Sequence, residues 1–441
     1  GHIISRILCA LLGLTLRSSA VTSTIVTTGT IIACLILAAP LGALEPYKTY
    51  EFHNGRWFDG KEFVRRKVYS EWGRLRFSKP RKIDEVVDLK GGFVLPPLCD
   101  AHNHNFGTAY QDEENIRRFL EAGIFYVKVP SSVPMKLGKS LHFYNKPTSI
   151  DASFGNGGIT GPGGQLVQLR ENLLERGAYP GFTKETLADH AYTVVETPED
   201  VQEKWPIILS YRPDFIKFHL VHSDEHLVRR DDINYFGQMG MNPELAPLFV
   251  ELGHAHGLRV AAHALTGSDF RIAIQAGVDE ITHMPGYSSP QQINAEDAAL
   301  ARSNGVTVIT TLNAADQYKA DASVYEAIRK TQVANLRLLK ENGVRIAVGS
   351  DAFHDDSRIE AEYLRSLGVF TDVEILRMWT RDCSQTTFPS RYVGELREQF
   401  EASFIVLHEN PLKKWSAYEE IKYRFKDGKP LEIGPSKSGQ R

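Results

Sequence analysis

Two histidines, His102 and His104, stand two residues apart in Cys99-Asp100-Ala101-His102-Asn103-His104-Asn105, directly after the apolar run Gly92-Phe-Val-Leu-Pro-Pro-Leu98. In an extended strand, side chains two apart project from one face. Two imidazoles on one face can share a metal ion. His-x-His alone is a weak signal. Its weight comes from other ligand-type residues at or near the ends of apolar segments. Lys217 lies in Asp214-Phe-Ile-Lys-Phe-His-Leu220, His263 ends Arg259-Val-Ala-Ala-His263, His283 ends Val278–His283, and Asp351 follows Arg345-Ile-Ala-Val-Gly349-Ser350. One histidine at a strand end is usually structural. Six such residues at successive strand ends point to one shared site.

Elements that could hold these residues together alternate along the chain. Helical patterns are predicted over Asp112–Ala122, Pro243–His256, Asp269–Ala276, Ala295–Asn304 and Tyr325–Asn342. Between them run the strand patterns Ile124–Val129, Asp214–Leu220, Arg259–His263, Val278–His283, Val306–Thr311 and Arg345–Gly349. Gly123, Gly257, Gly277, Gly305 and Gly343 each separate a helix from the next strand, as a helix C-terminal stop does. Strands alternating with helices imply parallel β-α units. About eight such units make an α/β fold of the (β/α)8 TIM barrel type, in which chemistry gathers at the C-terminal strand ends. The periodicity is lost over Ser131–Pro180. There the glycine-rich run Asp151–Gly164 reads as a third strand leading into a mobile loop over the barrel mouth, and it lacks the Gly-Lys-Ser/Thr ending of a phosphate loop. The long segment His222–Asn242, after the fourth strand, carries His222, His226, Arg229, Arg230 and Tyr235 and reads as a specificity loop.

Short strands with turn dipeptides Asn54-Gly55 and Asp59-Gly60 precede the barrel, and the predicted hairpin Tyr423–Leu431 turns at Asp427-Gly428 after it. Residues 45–95 and 391–441 are therefore expected to form one small β-sandwich domain, discontinuous in sequence, with the barrel at 96–390. The first 44 residues differ in character. Arg6 and Arg17 are their only charges, Ile31–Ala39 is apolar, and small residues end at Leu41-Gly42-Ala43. This pattern reads as a signal peptide. The competing reading is a membrane anchor, weakened by eight Ser or Thr residues in Ser18–Thr30. Either reading puts the catalytic part outside the cytoplasm, periplasmic or secreted, or membrane-anchored with an extracytoplasmic catalytic domain. The start Gly1-His2, without Met, reads as that of a fragment.

Composition excludes several classes. The 441 residues are 42% hydrophobic and 24% charged, ordinary for a globular enzyme. The formal net charge of −3, with no basic stripe, argues against nucleic acid as a partner. Of four cysteines, only Cys99 and Cys383 lie in the body. Their separation suggests no disulfide framework and no Cys-x-x-Cys metal knuckle, and they read as two buried thiols.

The ordered set Leu95-Pro-Pro-Leu-Cys-Asp-Ala-His102-Asn-His104, Ile216-Lys217, Ala262-His263-Ala264, Thr282-His283 and Gly349-Ser350-Asp351 resembles the amidohydrolase superfamily, in its imidazolonepropionase-like and prolidase-like branch. Ala402-Ser-Phe-Ile-Val-Leu407 followed by Asn410-Pro411 resembles the family's end. The resemblance covers 45–441. It implies that His102 and His104, helped by Asp351, bind a buried metal ion, and that His263 and His283 bind a second. Lys217, carboxylated by CO2, would bridge the two divalent ions, expected to be zinc. A carbamate is an anionic donor with two oxygens, whereas an ammonium would repel two dications.

The implied reaction is hydrolysis of a C–N amide bond in a small-molecule substrate: a dipeptide, an N-acyl amino acid or a cyclic amide. A metal-activated hydroxide would attack the carbonyl, with Asp351 moving the proton to the leaving nitrogen. Arg229 or Arg230 could clamp a substrate carboxylate, Tyr287 could donate to the developing oxyanion, and His219 shares the strand face of Lys217. The alternatives are a mononuclear cyclic-amide hydrolase or deaminase, an esterase or lactonase on the same site, and a non-catalytic binding relative. Deamination fits less well, because Ala264-Leu265-Thr266-Gly267 supplies no Glu after His263. Membrane association through the N-terminal segment and homo-oligomerisation stay open.

Overall fold

The chain is described here over residues 47–108 and 111–434 by a computed structural model. The leader, read from sequence as a signal peptide or anchor, lies outside these residues. The described part begins with five short strands: β1 (Tyr50–Phe58), β2 (Phe63–Glu71), β3 (Arg74–Arg76), β4 (Glu85–Asp88) and β5 (Phe93–Leu95). Three parallel strands follow, β6 (Leu98–Asp100), β7 (Ile124–Val129) and β8 (Asp151–Phe154). Next come seven more, β9 (Ile159–Thr160), β10 (Thr193–Val194), β11 (Phe215–Leu220), β12 (Arg259–Ala264), β13 (Glu280–Ile281), β14 (Thr307–Ile309) and β15 (Arg345–Ala347). The chain returns through β16 (Phe404–Leu407), β17 (Ile421–Lys426) and β18 (Lys429–Pro430).

Strands from both ends of the chain share one sheet, in the order β18-β17-β16-β5-β1-β2-β3, with β4 also pairing β1. The junction is antiparallel, Ile405 opposite Leu95 and Leu407 opposite Phe93. Alternate residues bury an aromatic cluster in which Phe404 lies 4.8 Å from Phe425 and 5.0 Å from Phe52, centroid to centroid. Asn54-Gly55, expected to turn the chain, instead lies inside β1 as a bulge. The register against β2 shifts between Phe52 and Gly55, and Asn54 takes a left-handed φ of 55°. Asn-Gly suits any left-handed backbone position, so the dipeptide alone does not separate a bulge from a hairpin turn.

The parallel strands form two hydrogen-bonded sets, β6-β7-β8 and β10-β9-β11-β12-β13-β14-β15. Individual bonds link the sets on both sides. Past the C-terminal ends of β6 and β15, Ala101 N donates to Val348 O (3.0 Å), Asp351 N to His102 O (2.7 Å) and His104 N to Ala352 O (2.9 Å). At the other junction, Asp214 N, just before β11, donates to Phe154 O at the end of β8 (2.9 Å). The fold is TIM-barrel-like α/β. Helices end where the glycines predicted, and Gly123, Gly257, Gly277, Gly305 and Gly343 all have φ between 68° and 89°. Lys128 on β7 pairs with Glu280 on β13 while both are buried. Thr386 (2.8 Å) and Arg259 (3.3 Å) also donate to Glu280.

Two sequence expectations need correction. The run Asp151–Gly164, expected to be a third strand leading into a mobile loop, does begin with the third parallel strand, but regular structure continues after it through the stretch Ser131–Pro180. It contains β8, β9 and the helix Gln165–Glu175, which buries Leu166, Val167 and Arg170. Its glycines instead bring segments into close contact: a Cβ on Gly158 would stand 2.6 Å from Cε1 of His219. The second correction concerns Cys99 and Cys383, which are not free thiols but form a disulfide, with Cα atoms 5.7 Å apart. It fastens the strand leading to His102 to the helix Cys383–Thr387. Their sequence separation of 284 positions hides the pairing from any spacing argument.

Candidate metal centre

The site is built where β6, β11, β12, β13 and β15 end. Asp100 closes β6, and its buried carboxyl accepts from Ser350 Oγ (2.7 Å), Ser350 N (3.0 Å), Asn103 Nδ2 (3.0 Å) and His102 N (3.2 Å). Burial, outweighing these bonds, pushes this carboxyl up to about 7. Through Asp100 the His102–His104 segment and the Ser350–Asp351 turn are held as one unit. Gly349 is needed there for space, since a Cβ would lie 2.5 Å from Ile309 Cγ2 and 2.9 Å from His102 Cβ. Asp351 follows with φ of 55°, a conformation that aspartate tolerates better than most residues.

These elements aim the predicted residues at one point. Nε2 of His102 lies 3.2 Å from Nε2 of His104, and both lie within 3.1 Å of Asp351 Oδ1. The His283 ring centroid is 4.5 Å from that of His102 and 4.4 Å from that of His263, and His219 stacks on His263 at 5.0 Å. Ligand atoms of His102, His283 and Asp351 fall within 4.8 Å of one another. The Lys217 side chain, 2% exposed, comes from the middle of β11.

Neighbouring polar groups orient the imidazoles. His102 Nδ1 bonds to the Thr282 carbonyl (3.0 Å), which must accept, so Nδ1 carries the proton and Nε2 keeps its lone pair. His283 Nδ1 bonds to Thr311 Oγ1 (2.9 Å), and His219 Nδ1 donates to the Ile159 carbonyl (3.1 Å). Nε2 of His263 is buried without a partner. Burial, more than the opposing Asp351, brings His102 down to about 4, and burial drives His263, His283 and His219 well below the usual range. All four are neutral donors at pH 7. Burial raises the Asp351 carboxyl, but His102 and His283 together hold it well below the ordinary range. Burial brings Lys217 down to about 7, with Asp351 partly opposing. Among the described residues, Lys217 Nζ makes no hydrogen bond or ion pair. Neutral imidazoles, a carboxylate, an unpartnered buried nitrogen and a lysine able to lose its proton fit a divalent-cation site.

The centre opens into a cavity of about 540 Å3. His219 and Tyr287 line it, and the Tyr287 hydroxyl donates to Asp351 Oδ2 (2.7 Å). Arg229 and Arg230 are not among its lining residues. Arg229 instead bonds Glu225 (2.8 Å) and the Gln238 carbonyl (2.7 Å), and Arg230 pairs with Asp231 (3.3 Å) and Glu196 (3.4 Å). Sequence reasoning singled out neither Thr311 nor Arg170. Thr311 ended a predicted strand. Arg170 lay where the periodicity failed, and it lines the cavity from the helix Gln165–Glu175.

Residues 225–431, from the segment after β11 through β18, match the amidohydrolase family and include His263, His283 and Asp351. That match spans 207 of the 441 residues, just under half of the chain. The chain is 25% identical to an ochratoxinase of Aspergillus niger over 312 residues, covering 66% of this chain and 61% of that relative's length. A crystal structure of A. niger ochratoxinase superimposes with a TM-score of 0.71 at 17% identity, over 89% of this chain and 97% of the other. A prolidase crystallised with N-methylphosphonate-L-proline gives 0.69 at 17%, over 88% and 100%. A Xaa-Pro dipeptidase with bound methionine gives 0.68 at 19%, over 87% and 100%. These likenesses to solved structures establish the shared fold.

Proposed function

We propose that this protein is a metal-dependent hydrolase of C–N amide bonds in small substrates of the dipeptide or N-acyl amino acid kind. One observation carries the reading: five histidines, Lys217 and Asp351 line a single cavity at or near the C-terminal strand ends. The ochratoxinase, prolidase and dipeptidase relatives support it. His102, His104 and Asp351 would hold one divalent ion, and His263 and His283 a second, zinc being the natural choice for imidazole and carboxylate donors. Bound, these cations supply Lewis acidity that lowers the pKa of water and polarises the scissile carbonyl.

Lys217 is suited to carboxylation. Its desolvated amine sheds a proton near neutrality. The free lone pair can attack CO2, forming an N–C bond and releasing a proton, and the carbamate so made offers two oxygens. Asp351 Oδ2 takes the proton of the attacking water and returns it to the leaving nitrogen. The Tyr287 hydroxyl orients that carboxylate in the resting site, and rotation about its C–O bond lets it donate to the substrate oxygen as charge develops there.

The barrel reading is a closed eight-stranded (β/α)8 ring spanning 96–390, with 45–95 and 391–441 forming the second domain. An extracytoplasmic location, with residues 1–44 as signal peptide or anchor, draws support from the Cys99–Cys383 disulfide, since such bonds persist in oxidising compartments. No helix of the described residues is long and apolar enough to cross a membrane. The test is hydrolysis of N-acyl amino acids and dipeptides by zinc-loaded protein. Turnover should be lost in Asp351→Asn with metal retained, and equal rates in that variant would refute the reading.

A further inference from the structure

The cavity wall also carries two cations that are not among the candidate metal ligands. Arg170 lines it while only 8% exposed. One of its terminal nitrogens donates to the Tyr179 hydroxyl (3.2 Å), the other to the Ser131 carbonyl (2.7 Å), and its Nε is buried with no partner. Lys136 also lines the cavity. Its Nζ donates to the Ala178 carbonyl (2.7 Å) and lies 4.8 Å from the Tyr179 ring centroid. Among the described residues, neither cation is within 4.0 Å of a carboxylate oxygen, and Asp351 is the one acidic residue lining the cavity. Like-charged neighbours in a poorly hydrated wall, without a counter-charge, are unfavourable unless an anion completes them. The wall is preorganised: Tyr179 packs in a separate small core with Val133, Leu166, Val167, Leu187, Ala191 and Tyr192.

We infer that Arg170, with Lys136 beside it, is the specificity determinant that binds a carboxylate borne by the substrate. This assignment rests on the hydrolase reading for its consequence. The metal ligands engage the scissile amide, and Arg170 Nε and its terminal N–H groups take the anionic end. The leucines Leu166, Leu169 and Leu173 offer apolar surface for the intervening side chain. A carboxylate is preferred over a phosphate because the free donors form one planar fork, which matches two carboxylate oxygens.

The test compares N-acetyl-L-phenylalanine with its uncharged carboxamide, on wild type, Arg170→Gln, Arg170→Lys and Lys136→Met. The acid-over-amide ratio of kcat/KM should fall about 100-fold in Arg170→Gln, mostly through KM, and recover partly in Arg170→Lys. Lys136→Met should lower it less. The same two compounds are then tested as ligands by calorimetry and thermal shift. If neither compound is hydrolysed but the acid binds wild type and not Arg170→Gln, the anion subsite stands and the hydrolase reading fails. Acid and amide handled equally by wild type, or lowered equally by Arg170→Gln, would overturn the assignment. Should Arg170→Gln not fold, the charge-keeping Arg170→Lys and the Lys136→Met ratios decide.

Discussion

The Tyr287 hydroxyl donates to Oδ2 of Asp351 at 2.7 Å, while Oδ1 of the same carboxylate faces the Nε2 atoms of His102 and His104. The two oxygens thus have different surroundings, Oδ1 between two histidines and Oδ2 against the Tyr287 hydroxyl, with His283 Nδ1 at 4.0 Å. Tyr287→Phe removes the donor without opening the ligand set. We expect kcat to fall about 10- to 100-fold with KM little changed, as for loss of a transition-state donor. Metal analysis should match wild type. Unchanged kcat would place Tyr287 outside the chemistry.

Thr311 acts on His283 through a 2.9 Å bond to Nδ1. Partners behind ligating histidines hold ring and tautomer, and their loss typically weakens metal binding about 10- to 100-fold. Thr311→Val keeps the branched shape and removes the hydroxyl. Titration with a competing chelator should show weaker retention in that range, and wild-type retention would contradict the role.

Glu360 is buried and accepts from Leu312 N (2.9 Å), Asn313 N (2.7 Å) and Asn313 Nδ2 (2.8 Å). Asn313 Nδ2 also reaches the Ser350 carbonyl (2.8 Å). Burial, stronger than these bonds, pushes Glu360 up to about 7. A carboxyl raised in the folded state binds a proton that the unfolded state has already lost. Its effect on stability is therefore unfavourable as pH rises from the ordinary glutamate range to about 7, at a limiting slope of about 1.4 kcal/mol per pH unit. With chelator present throughout, the wild-type denaturation midpoint should fall from pH 5 to pH 7.5 more steeply than that of Glu360→Gln. Parallel curves would contradict the raised value.

The disulfide ties the strand before His102 to a helix 284 positions later. Replacing both Cys99 and Cys383 by Ala should lower stability by about 2–5 kcal/mol, read as an earlier denaturant midpoint. An unchanged midpoint would show that packing alone holds the junction.

The parts legible in the sequence were those governed by local periodicity. His102 and His104 stand two apart just past β6 and meet at Asp351, and glycines at positive φ close successive helices, so the alternation and the strand-end ligands could be read directly. Parts set by distant partners could not. Cys99 meets Cys383 only after the strands come together. Asn54-Gly55 supplies left-handed backbone, and only the pairing of β1 with β2 makes it a bulge. Arg170 is buried because Tyr179 and Ser131 fold around it, within a glycine-rich segment whose packing has no sequence period. Arg229 and Arg230 had the right chemistry for a clamp but find partners in Glu225, Gln238, Asp231 and Glu196.

Metal content of protein purified with bicarbonate present and chelators absent tests the centre most directly, with Lys217→Ala measured beside it. Elemental analysis should give about two zinc-like ions per wild-type chain and about one or fewer in Lys217→Ala, with activity partly restored there by a short-chain carboxylate. A single ion or none in wild type, or equal content and full activity in Lys217→Ala, would contradict a lysine-bridged pair of metals.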